Sequence, residues 1–132
     1  MLILFIPCLT SCKRQKINIE DQILSLVSQE RKEKFLVDLF ESDQSVRDSE
    51  IVLEILKRND YDKKSKEYQN HLRTMMKTDS INFLKIKRYL EVYGHPKTKD
   101  FSSKSNHAIT TIAIHQLIFI RLMDSDCCYS MV

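Results

Sequence analysis

One glycine, Gly94, and two prolines, Pro7 and Pro96, are the only strong chain breakers in 132 residues. An all-β sandwich needs a turn roughly every 8–12 residues, and turns draw on Gly and Pro. So few breakers predict helices, and the apolar residues agree by recurring at three- and four-residue spacing. A first helix is expected over about 21–41, with Leu24, Val27, Phe35 and Leu39 on one face beside Leu36 and Phe40. Ser42 and Asp43 are placed to cap a second helix, about 44–58, turning Val52, Ile55 and Leu56 inward. Tyr68, Leu72, Met75 and Met76 mark a third, about 65–77, after the charged run Asp60–Lys66.

A fourth helix is expected to start at Asp79 or Ser80, to bury Phe83, Ile86 and Leu90, and to stop at Gly94 before Pro96. Residues 97–104 read as a polar loop. The fifth, about 104–123, is apolar nearly all round, which suits the buried centre of a bundle. The expected fold is therefore all-α, a compact bundle of four to five helices around a buried C-terminal helix.

The N-terminus has a different character. Residues 2–9 are almost wholly apolar, and Thr10, Ser11 and Cys12 lead abruptly into Lys13 and Arg14. Ten uncharged residues are too few to span a bilayer, which needs about 20, but fit the apolar core of a signal peptide. Leu9-Thr10-Ser11-Cys12 resembles the bacterial lipobox, whose cysteine takes a diacylglycerol thioether and becomes the first residue after cleavage. That resemblance implies a signal peptide over 1–11, a lipid-anchored tether over 12–20, a helical domain over 21–123 and an irregular tail over 124–132. It implies a membrane partner through lipid on Cys12 and a place in the bacterial cell envelope. The plain alternative is a buried N-terminal element, favoured by Pro7 and by the absence of Lys or Arg before the apolar run.

Charge and cysteines exclude more than they assign. A net charge of +3, with basic residues interleaved among acids, gives no nucleic-acid footprint. Cys127 and Cys128 are adjacent and do not form a disulfide framework. His107 and His115 lie eight apart, whereas two ligands to one metal from a helix need a spacing of three or four. No metal and no cofactor is expected, and one glycine cannot build a phosphate loop.

Four elements remain: Asp43-Gln44-x-x-Arg47, Asp79-x-x-Asn82, Tyr93-Gly94-x-Pro96, and His115 in an apolar helix. In this order they resemble an uncharacterised bacterial family of helical, often secreted or lipid-anchored proteins, matched over roughly residues 40–116. The family carries no activity that transfers. His95 stands where its members usually have an aromatic residue, and they continue past the histidine helix, whereas this chain ends in Asp124–Val132.

The resemblance marks Asp43, Arg47, Asp79, Asn82, Tyr93 and His115 as candidate ligand-binding positions. Each has a plain structural role as well. Asp79 and Asn82 suit a helix start, Tyr93 a helix end, Asp43 and Arg47 an i,i+4 pair, and His115 a hydrogen-bonded core histidine. The leading expectation is an envelope lipoprotein that binds a small polar ligand or an envelope protein. The alternatives are a small histidine-dependent enzyme using His115 with Asp79 or Asp43, and a shortened family member without independent activity.

Overall fold

The computed structural model describes residues 18–129. Among the described residues there are five α-helices and one short 3-10 turn: α1 (Ile19–Leu24), α2 (Gln29–Ser45), α3 (Ser49–Arg58), α4 (Lys66–Tyr93), the turn Thr98–Asp100, and α5 (Ser103–Tyr129). The fold is all-α and compact. No helix among the described residues is long and apolar enough to cross a membrane. The expected signal peptide and Cys12 lie outside the described residues.

The helix expected over 21–41 is two helices. Ser28 adopts extended backbone and its Oγ accepts from the Arg31 amide at 3.2 Å, starting α2 afresh. The break at 25–28 lets Ile23 and Leu26 both enter the core, while Val27 is left 78% exposed. The opposite correction applies further on. The helices expected over 65–77 and from Asp79 are one continuous 28-residue α4, about 42 Å long. Its cap is Ser65, whose Oγ accepts from the Tyr68 amide, so Asp79 is mid-helix and caps nothing. Ser80 instead bonds back to the Met76 carbonyl at 3.0 Å, a mid-helix habit of serine. Nor do Ser42 and Asp43 cap the next helix. They belong to the end of α2, and Asp48 caps α3 through the Glu50 amide at 2.8 Å.

Glu33 of α2 meets Ser102, and Asp43 meets His115, so α2 and α5 run side by side in the same direction. Phe35 stacks on Tyr89 with ring centroids 5.8 Å apart, and Arg47 meets Asp79, so α4 runs antiparallel to both. The core between them is Ile23, Leu26, Phe35, Leu36, Leu39, Ile86, Tyr89, Ala108, Ile109 and Ile112. Gly94 ends α4 at φ +72°, ψ −172°, a backbone region open essentially only to glycine. Burial along α5 stops short of its expected length. Ser105, Ala108, Ile109 and Ile112 are buried, but Ile114, Leu117, Ile118 and Ile120 are exposed, Leu117 to 62%. The helix also continues to Tyr129, through the first part of the expected irregular tail.

The start of α5 is fixed from α2. The Glu33 carboxylate accepts from the Ser102 amide at 3.1 and 3.3 Å, placing negative charge at a helix N-terminus. Burial raises the Glu33 pKa, but hydrogen bonds from Ser102 and Ser105 outweigh it and hold the group below the usual value. A carboxyl whose folded pKa is depressed contributes stability above its unfolded pKa and loses it as pH falls through the folded one. Glu33→Gln is expected to lose about 1 kcal/mol at neutral pH, as for a lost cap. The difference from wild type should shrink as pH falls below about 4.3, the unfolded carboxylate value. Urea melts of both proteins between pH 7 and 3 check it, and a gap that widens in acid would refute the assignment.

Candidate functional site

Three helices each carry a buried stripe that ends in a polar residue at the same end of the bundle. On α2 the stripe is Leu36, Leu39, Asp43; on α5 it is Ser105, Ala108, Ile112, His115. On the antiparallel α4 it runs Tyr89, Ile86, Asn82, Asp79. Spacings of three and four keep each set on one helix face. Antiparallel packing of α4 therefore brings Asp43, Asp79 and His115 to one level.

There they close into a network. Arg47 Nη1 donates to the Asp43 carbonyl at 3.0 Å and to Asp43 Oδ1 at 3.1 Å. Its Nη2 donates to both carboxylate oxygens of Asp79 at 2.7 Å. His115 Nδ1 lies 3.0 Å from Asp43 Oδ1 and 2.9 Å from Oδ2, and Gln44 Nε2 donates to Oδ2 at 2.9 Å. An Nδ1–H tautomer of His115 suits this carboxylate acceptor and leaves Nε2 for another partner.

Burial is graded across the set. Asp43 is 0% exposed, whereas the side chains of Arg47 and His115 retain 21%. Two carboxylates and one guanidinium sum to −1 with a neutral ring and to zero with an imidazolium. A buried carboxylate costs several kcal/mol to desolvate and persists only when its lone pairs are filled, which three donors accomplish for Asp43.

Asn82 stands one turn from Asp79 on the same stripe, 3% exposed, and its Nδ2 is buried without a hydrogen-bond partner. An orphaned amide of this kind calls for an acceptor oxygen that the described residues do not supply. Tyr93 is not part of the set. It lies fourteen residues beyond Asp79, about 21 Å along α4, where its hydroxyl donates to the Ile23 carbonyl at 2.9 Å.

Five of the six candidate positions thus belong to one end of the bundle, four of them in direct contact and Asn82 one turn away, and the sixth holds α1 at the other. Gln44 is a member that sequence reasoning quoted without assigning. Its signal was the D-Q pair itself, since an amide next to a buried carboxylate is a ready donor. Among the described residues, no group of three or more His, Cys, Asp or Glu is placed to hold a metal.

No family model, no curated protein and no solved structure matches the chain.

Proposed function

We propose that this protein is an envelope-tethered binding domain whose ligand docks where His115 and Arg47 reach the surface, against the Asp43–Asp79–Asn82 layer beneath. The observation that carries this reading is the network from three helices that leaves the Asn82 amide without an acceptor. A folded bundle needs no such set for stability, because apolar residues in its place generally do as well or better. The ligand is a small polar molecule with at least one acceptor oxygen, for Asn82, and a group that exchanges a proton or hydrogen bond with His115 Nε2.

Anchoring rests on the lipobox-like Leu9-Thr10-Ser11-Cys12 and the basic switch that follows it. Acyl chains stabilise membrane attachment by about 0.8 kcal/mol per buried CH₂. In the native host, the membrane fraction is expected to yield a mass equal to residues 12–132 plus lipid, and Cys12→Ser to abolish it. An unmodified full-length mass in the soluble fraction would end the anchoring reading and leave the binding reading standing.

Binding is tested by ligand-observed NMR with a library of small polar molecules. Hits that perturb the His115 ring signals, and that vanish in His115→Gln and Asn82→Ala, are expected. A library that yields no hit sensitive to either substitution would assign the network to structure alone. One observation favours a second reading. A carboxylate on Nδ1 orients an imidazole as a general base, and His115 has that partner in Asp43. Hydrolysis of p-nitrophenyl acetate above the buffer rate, lost in His115→Gln, would move the assignment to catalysis.

A further inference from the structure

At the other end of the bundle, ten residues and about 15 Å along α4 from Asp79, the chain leaving α4 lines an open pocket of about 190 Å³. Tyr89, Tyr93, Pro96 and Phe101 supply apolar walls, and Lys32 and Lys97 complete the lining. Lys32 Nζ sits 3.9 Å from the centre of the Tyr93 ring, and neither lysine is paired with a carboxylate among the described residues. The other polar groups of the lining are mostly committed. Gln29 donates to the Asp100 carbonyl at 2.8 Å, the Tyr93 hydroxyl is held by Ile23, and His95 Nδ1 faces the Pro96 carbonyl at 3.2 Å.

Tyr89 is the exception. It is 1% exposed and lines the pocket, yet burial and the charges of Tyr93 and Glu33 act on its phenol with no hydrogen bond among them. Together these push its pKa up to about 12, so the group stays a neutral donor. Two acids face the same space: Asp100 in the lining and Glu33 near Tyr89. Glu33 keeps its charge while bonded to Ser102, so two lysines meet two carboxylates, and the positive charge is local to Lys32 and Lys97 rather than a net excess.

We infer that this pocket binds a small organic monocarboxylate, its carboxylate between Lys32 and Lys97 and its apolar body against Tyr93, Pro96 and Phe101. The size is right. The volume equals about six waters at about 30 Å³ each, enough to seat one ring or a short branched chain. With the charges of the site balanced, a dianion would add a second uncompensated charge, which disfavours it against a monoanion. Aromatic walls select an apolar body over a bare inorganic ion.

The test is a ¹H–¹⁵N titration of the full chain with benzoate. Shifts confined to the neighbourhood of Lys32, Tyr93, His95 and Lys97 are expected, with weakening of about tenfold in Lys32→Gln, the equivalent of one lost charge-assisted contact. The exposed Lys97→Gln gives a second reading in case Lys32→Gln perturbs α2, and should also weaken binding. Benzylamine should leave the spectrum unchanged, and inorganic phosphate should not displace benzoate. Any of three results overturns the inference: no localised shifts, equal response to benzylamine, or unchanged affinity in both lysine variants. His115→Gln should leave the titration as it was, so this site stands or falls apart from the network at the other end.

Discussion

Asp43→Ala is expected to destabilise the protein by about 3–5 kcal/mol, the range for breaking a buried ion pair from one side. The substitution takes a carboxylate acceptor from three donors at once, His115 Nδ1, Gln44 Nε2 and Arg47 Nη1, of which only Arg47 Nη1 keeps a second acceptor, the residue-43 carbonyl. It also leaves Arg47 and Asp79 paired at a level of the bundle that no longer has its central acceptor. For a chain of this size the loss corresponds to a fall in Tm of roughly 10–20 °C. Urea or thermal melts measure it directly. A change below about 1 kcal/mol would mean that Asp43 is hydrated and the network open.

A companion variant separates folding from function. Replacing Asp43, Arg47, Asp79 and His115 together by leucine or methionine removes every charge and strands no donor among the four. That variant is expected to recover most of the stability lost in Asp43→Ala, because apolar replacements of buried ion pairs are commonly neutral or better. It should bind nothing at the His115 end. Recovery of stability with loss of ligand would locate the selective value of these residues in binding.

Leu36→Ala is the second large effect, at about 2–5 kcal/mol for a cavity in a packed core. Leu36 is fully buried where α2 faces both α4 and α5. Leu117→Ala, at an equally apolar position of the apolar α5, is expected to stay within about 0.5 kcal/mol. Measured by urea melts, the pair reports how far burial along α5 extends. A large loss at Leu117 would place a covering partner over that face in solution.

The helical class was legible because almost nothing in the chain can form tight turns, and most core positions followed from spacing. The misplaced caps at Asp43 and Asp79 have one cause. Propensity sees residue types that suit caps, but it does not see whether a side chain has a better partner elsewhere. Asp79 suits a helix start, yet Arg47, 32 positions away in sequence, offers it two hydrogen bonds inside the bundle. Once residues 65–77 and 79–93 are read as one helix, Asp79, Asn82, Ile86 and Tyr89 fall on a single stripe. The stripe then announces two polar residues at core positions.

Ser28 was the reverse case. A lone serine within an apolar periodic stretch looks tolerable in a helix, but an unbroken helix would turn Ile23 and Leu26 away from the face of Phe35, Leu36 and Leu39, and the break lets all five share one core. The convergence of Asp43 with His115 depended on α2 and α5 running in the same direction, and periodicity carries no information about direction.

That shared direction governs how the molecule assembles. Neighbouring helices in sequence usually pack antiparallel through short loops, whereas α2 waits for a partner whose contacts lie 69 to 72 residues downstream. Closing so long a loop costs entropy before any contact is gained, and non-local pairing slows folding. As the chain is made from its N-terminus, Phe35, Leu36 and Leu39 emerge well before the helix that covers them. An arrest anywhere before residue 115 leaves that face uncovered and Asp43 without its histidine. Folding should therefore complete in one late step, with α5 as the closing piece, and the nascent chain up to Tyr93 should be the form that chaperones hold.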